Sequence, residues 1–366
     1  MGTKTKPRFR KEFSDEIFTK LRAEANTLVK TLKPRRKKTI LFKAFLFPFL
    51  YFFTWVIAMV YAKIPWILYT SYFILGLLVV FNFVNVIHDA VHGTIFKSRW
   101  LNGMFVYLFD ILGANSFIWR QRHIRFHHNY TNVMGWDTDI EHSNLLRVSP
   151  GNPYSKLHRY QHIYLPFIYP FYVLNWLLLR DFKDFFIKKK TVHKLIKIPR
   201  MEYFKLFFFK FFFFTFLIII PKLIFDISWG QLVTAFLFLM MSANFFSLFT
   251  LLPPHANTEN EFPLPDSNNN LEHGWFMHML LTTNDIREEN LFFRFFMGNF
   301  NCHVAHHLFA NTHHIFYPEI TRLLKSYSIQ YDLPYQNLPI LETLKKHYLL
   351  IKQNRIPVLA IMEESM

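Results

Sequence analysis

"AFLFPFLYFFTWVIAMVYAKIPWILYTSYFILGLLVVFNFVNVIHDAVH", residues 44 to 92, holds two uncharged apolar runs followed by a histidine pair. The runs, 44 to 62 and 65 to 87, each match the ~20 residues that a helix needs to cross the hydrocarbon core of a bilayer. Only Lys63 and Ile64 separate them. So short a link forces an antiparallel hairpin, and the second run therefore delivers His88 and His92 to the membrane face from which the first departed.

A second pair lies downstream, "LFFFKFFFFTFLIII" (206 to 220) and "ISWGQLVTAFLFLMMSANFFSLFTLL" (227 to 252), joined by a short segment carrying Lys222 and Asp226. Lysine and arginine crowd residues 4 to 43 and 180 to 205, which the positive-inside bias places in the cytoplasm. The expected fold is an all-α integral membrane protein with four transmembrane helices in two hairpins. Residues 1–43 form a basic cytoplasmic segment, and 253–366 a cytoplasmic helical cap bearing the last histidine group. "LNGMFVYLF" (101 to 109) and "YLPFIYPFYVLNWLLL" (164 to 179) are short or broken by Asp110, Pro166 and Pro170, and read as interfacial helices. Lys205 and Lys210 are expected to snorkel to the surface. With no repeat and no low-complexity linker, residues 1–366 read as one domain.

Composition agrees: 52% of residues are hydrophobic and only 18% charged, too apolar for an ordinary soluble domain of 366 residues. The net charge of +17 sits beside the spans, where it orients the protein and meets anionic lipid rather than nucleic acid. The basic, polar start lacks the early apolar core of a secretory signal. One cysteine, Cys302, excludes an internal disulfide and a cysteine metal cage.

Eight of the 18 histidines fall into three tight groups: "HDAVH" (His88, His92), "HIRFHH" (His123, His127, His128) and "HVAHH" (His303, His306, His307). On a helix, positions i and i+3 or i+4 share a face, so each group offers two or three imidazoles in one direction. A lone HxxxH is more often an interfacial hydrogen-bonded pair than a ligand set. Three such groups on one membrane face point instead to metal, and eight or nine imidazoles exceed the ligands of a single ion, so two ions are implied. Imidazole suits iron, copper, zinc and nickel alike. Open positions on such ions, at the mouth of an apolar protein, suit O2 activation against hydrocarbon. A metal transporter or haem carrier would need histidines within the spans, which contain none.

These groups, with "HHNYTNVMGWDTDIE" (127 to 141), "HRYQHIYLPFIYP" (158 to 170), "WFMHMLLTTND" (275 to 285) and "GNFNCHVAHHLF" (298 to 309), resemble the membrane fatty acid desaturases, in particular the acyl-lipid and front-end branch. The resemblance covers most of residues 80 to 325. It implies a cytoplasmic di-iron centre, reached by an acyl chain through an apolar tunnel, at which O2 and two electrons produce a cis double bond. It assigns His88, His92, His123, His127, His128, His303, His306 and His307 as iron ligands, with His255 as the ninth and His278 its competitor. Asp89, Asp137, Asp139, Asn299, Asn301 and His314 are candidates for holding ligand imidazoles from behind. His142, His193, His273 and His347 read as surface residues.

Two departures narrow the transfer. Front-end members commonly carry glutamine where this chain has His303, and no HPGG haem motif occurs, so electrons are expected from a separate ferredoxin, or from cytochrome b5 with its reductase. The substrate is expected as acyl-CoA or acyl-lipid, and the membrane as a bacterial inner membrane or the endoplasmic reticulum. A related hydroxylase acting on a lipid or hydrocarbon shares the first hydrogen abstraction and is the nearest alternative.

Overall fold

A computed structural model describes residues 5–141, 145–250 and 252–357. It is mostly helical; among the described residues, the strands are β1 (Asp285–Ile286) and β2 (Asn337–Leu338), paired in parallel.

The first helix, α1 (Ser14–Val60), is longer than its apolar run, because the basic segment before that run winds into the same helix despite Pro34 and Pro48. At about 1.5 Å per residue, its 47 residues extend ~70 Å, well beyond a bilayer core. After the turn at Tyr61–Ile64, α2 (Pro65–Val91) starts with proline, whose missing N–H costs nothing at a helix N-terminus. Near its end a single π-helical turn, Phe83–Ile87, precedes His88. Two short helices, α3 (Arg99–Ile111) and α4 (Ser116–His127), meet at 119°. The long segment α5 (Lys156–Lys194) is broken into α, 3₁₀ and π pieces around Pro166 and Pro170. The helices α6 (Arg200–Phe225) and α7 (Trp229–Thr250) follow. Beyond them lie α8 (Trp275–Thr282), α9 (His303–Leu308), α10 (Tyr317–Tyr331) and α11 (Ile340–Gln353).

Among the described residues, four helices are long and apolar enough to cross a membrane: α1, α2, α5 and α6. That set differs from the expected one. Its third member is the segment read as interfacial, and α7 offers a shorter apolar stretch, Trp229–Phe245. The prolines that argued against a span break α5 without ending its helical run, because 3₁₀ and π turns rejoin the pieces.

At Gly76 the helices α2 and α7 touch backbone to backbone. A Cβ there would lie 2.0 Å from the Ser242 Oγ and 2.1 Å from the Leu239 carbonyl oxygen, and small residues permit such crossings in membranes. Buried Asn82 donates to the Phe47 carbonyl at 3.1 Å, tying α2 to α1. Lys210 does not snorkel. It is buried, donating to Asp181 at 2.7 Å and to the Gly113 carbonyl, because α3 and α5 cover that face of α6 and supply a carboxylate. Phe204, Phe207, Phe208 and Phe211 are exposed, as a lipid-facing run requires.

Candidate metal centre

The three histidine groups converge on one buried region, and the turn after α7 adds His255. His88 opens the last turn of α2 and His92 follows it; His123 and His127 lie in the π-helical stretch Arg122–His127 of α4 with His128 just after it, and α9 carries His303, His306 and His307. The nine rings sort into two adjacent clusters. In the first, ligand nitrogens of His88, His92, His123, His128 and His306 all lie within 4.8 Å of one another. Around His123 Nε2 stand the Nε2 atoms of His128 at 3.0 Å, His88 at 3.1 Å and His92 at 3.2 Å. In the second, His127, His255 and His307 converge, and His303 joins through His255, their Nε2 atoms 2.6 Å apart. His307 Nε2 lies 3.1 Å from that of His255.

Each His-His doublet is therefore divided. His128 and His306 enter the first cluster, while His127 and His307 enter the second. Helical spacing alone had each group pointing one way; backbone winding changes that. The His128 N–H donates to the His123 carbonyl at 2.9 Å, an i to i+5 bond. This π turn brings the His128 ring edge-on to His123, 4.4 Å between centroids, and leaves His127 to face the second cluster.

The partners of the second ring nitrogens fix what faces the centre. His127 Nδ1 lies 3.1 and 3.2 Å from the two Asp137 oxygens, so Nδ1 carries the proton and Nε2 a bare lone pair. His255 Nδ1 faces the Thr282 carbonyl at 3.4 Å. His307 Nδ1 lies 3.3 Å from the Thr131 hydroxyl oxygen, whose own proton goes to the His127 carbonyl at 2.8 Å. His306 Nδ1 meets the Tyr317 hydroxyl at 3.2 Å, and its buried Nε2 has no hydrogen-bond partner. At His127, His255 and His307 a bare Nε2 lone pair thus faces the centre. Separations of 3.0–3.2 Å match adjacent nitrogens bound at about 2.1 Å to one ion at right angles. Burial pushes His255 down to about 3, and His303, His306 and His307 well below the usual imidazole range, with neighbouring imidazoles adding to the effect. These four rings are neutral, as metal binding requires.

His278 lies outside both clusters, its Nε2 donating to the Thr131 carbonyl at 2.9 Å. Asp139 stands behind Asp137, 3.6 Å from His127 Nδ1, and pairs with Arg180 at 2.7 Å. Asp89 touches none of the nine rings by hydrogen bond; it binds His314 instead. Asn299 donates to the His314 carbonyl and Asn301 to the Glu288 carbonyl, so both hold backbone rather than imidazole. His347 is buried, not a surface residue: Nδ1 donates to the Ala256 carbonyl and Nε2 accepts from Tyr169. A lone histidine on an amphipathic helix gives no sign of that. His193 and His273 are half-buried, and His142 lies outside the described residues. Thr131 and Tyr317 escaped the sequence reading because neither has a charge or a motif spacing to mark it.

An apolar cavity of about 70 Å³ lies beside the first cluster, enclosed by α2, α3, α5, α6 and α7 with Val79, Phe83, Phe109, Trp176, Phe213 and Leu239 among its walls. Phe83 and Phe109 pack on Trp119 at 5.2 and 4.9 Å, and Trp119 stacks on His123 at 5.0 Å. Two aromatic rings in series thus separate the cavity from His123, and Phe83 alone separates it from His88, 6.0 Å between centroids.

Comparison with known proteins adds a family profile, "Fatty acid desaturase", matching residues 64–339. An "Acyl-lipid (8-3)-desaturase" of Physcomitrium patens is 28% identical over 74% of this chain and 57% of its own length. An "sn-1 linoleoyl-lipid 6-desaturase" of Arthrospira platensis is 28% identical over 89% of this chain and 87% of its own. A second of that name, from Synechocystis, is 28% identical over 72% and 73%. This chain thus spans little more than half of the moss relative and most of the two cyanobacterial ones. No solved structure matches it significantly.

Proposed function

The chain belongs to the fatty acid desaturase family and is an enzyme of that family, and from this premise we propose that it converts adjacent methylenes of a lipid-bound acyl chain to a cis double bond at two iron ions held by the nine histidines. The observation that carries the reading is the convergence of nine imidazoles on two adjacent points beside an apolar cavity.

His88, His92, His123, His128 and His306 would hold one ion; His127, His255, His303 and His307 the other. Two bound irons would supply the reduction of O2: with two electrons and two protons from outside, one O2 takes two hydrogens from the acyl chain and leaves two waters. The protein's part is placement. Asp137, Thr131 and Tyr317 fix the rings from behind. The cavity wall excludes water and aligns methylenes by shape, as apolar pockets do. Relatives named for acyl-lipid substrates favour a lipid-bound chain over acyl-CoA. A separate donor, ferredoxin or cytochrome b5 with its reductase, would bring the electrons.

Parity supports the topology. His127 and His255 share one cluster, yet three apolar segments, α5, α6 and α7, lie between them in the chain. Three crossings would leave the two histidines on opposite faces, so two cross. α6 and α7 are the pair, with broken α5 lying along or dipping into the interface. Likewise His92 and His123 share a cluster, so the bent α3–α4 pair enters and leaves by one face. The basic N-terminal segment puts that face in the cytoplasm, of either a bacterial inner membrane or the endoplasmic reticulum.

The test is expression in a host lacking polyunsaturated fatty acids, with lipids profiled by mass spectrometry. New products lighter by two hydrogens, absent in His307→Ala, are expected. Products heavier by one oxygen would make the protein a hydroxylase and refute desaturation.

A further inference from the structure

One more charged group is buried against the histidine groups, and it comes from α1, which carries none of them. Lys43 is 2% exposed. Its Nζ lies 3.0 Å from His314 Nε2 and 3.3 Å from the Arg294 carbonyl oxygen, with the Phe295 ring 5.4 Å away. An ammonium has donors only, so His314 Nε2 accepts. The single ring proton is then on Nδ1, where it is donated to an Asp89 oxygen. The other Asp89 oxygen accepts from the His314 backbone N–H and the Thr94 hydroxyl, each at 3.1 Å. His314 is itself held through its carbonyl by Asn299 at 3.0 Å.

Asp89, His313 and His314 sit close enough to resemble a third metal group. The Lys43 ammonium answers that resemblance. It already supplies the positive charge the buried carboxylate needs, and it uses the nitrogen a metal would take.

Asp89 lies between His88 and His92 in sequence and about 100° round the helix from His88. Whatever holds Asp89 therefore sets the rotation of the α2 terminus, and with it the aim of both imidazoles. We propose that Lys43 is a positioning residue for the five-histidine cluster: through His314 it latches Asp89, joining α1, the end of α2 and the chain beyond α9 at one buried point. This rests on the two-metal reading above.

The test uses the full chain, purified in detergent, stripped of metal and titrated with Co2+ followed by its visible absorbance. Unfolding of the metal-free protein is followed in parallel by tryptophan fluorescence. Lys43→Met keeps the apolar stem and removes only the charge. Wild type should take up two ions. The variant leaves Asp89 without its buried counter-charge and should unfold more easily than wild type. While folded, it should bind one of the two ions at least about tenfold more weakly, the scale on which outer partners of ligand histidines act, and the other as wild type does. Should Lys43→Met fail to fold, His314→Gln and His314→Leu decide. Glutamine can accept from Lys43 and donate to Asp89, and should retain both ions, whereas leucine should weaken one. Two ions at wild-type affinity in Lys43→Met, or in His314→Leu, would overturn the latch alone. Fewer than two ions in wild type would overturn the two-metal reading and the latch with it.

Discussion

Replacing Asp137 by asparagine changes almost no volume but reverses one contact, whichever way the amide turns. One carboxylate oxygen accepts from the Asn132 N–H at 2.8 Å, the other from the Asp139 N–H at 2.8 Å, and both face His127 Nδ1. An amide has one acceptor and one donor, so its NH2 must meet a backbone N–H, leaving a buried donor unpaired at about 1–3 kcal/mol. His127 loses the negative partner that orients it and raises its basicity, an effect worth about 10–100-fold in metal affinity. The loss should fall on the second cluster, because Asp137 contacts His127 alone among the nine rings. Stripped Asp137→Asn titrated with Co2+ should retain one tight ion and bind the other about 10–100-fold more weakly. Equal weakening of both ions, or neither changed by more than twofold, would refute the assignment of His127 and Asp137 to one cluster.

Substituting His255→Gln should remove the second ion, while His278→Gln, whose amide can still reach the Thr131 carbonyl, should leave both, as metal counting would show. Gly76→Val should separate α2 from α7, since a Cβ would overlap the Leu239 carbonyl oxygen. Thermal unfolding in detergent should show a loss of several kcal/mol, the overpacking scale or above. Burial holds His347 down at about 4, against ~6.5 unfolded. The unfolded chain therefore binds this proton more tightly between those values, and the stability it reflects is complete above ~6.5 and lost as pH falls toward 4. Stability measured across that window should decline less steeply in His347→Gln, by up to about 1.4 kcal/mol per pH unit.

The apolar runs of α1, α2 and α6 were legible because length and lack of charge suffice to mark a membrane helix. The continuity of broken α5 was not, because proline signals a break but says nothing of whether 3₁₀ and π turns will rejoin the pieces; its interfacial reading rests on the same prolines. The histidine groups stood out by spacing. Lys210, Lys43 and His347 were misread or passed over, because each depends on a partner far away in sequence: Asp181, His314 and the Ala256 carbonyl.

By itself, then, the sequence determined a helical membrane protein with imidazoles enough for two metal ions, since hydropathy and ligand type are properties of the residues alone. Which imidazoles share an ion was decided only by tertiary structure. Neighbours such as His127 and His128 are inseparable along the chain, yet a π turn sends them to different clusters. His255 comes within 2.6 Å of His303 across 48 residues of chain, a juxtaposition made by packing rather than by any local preference.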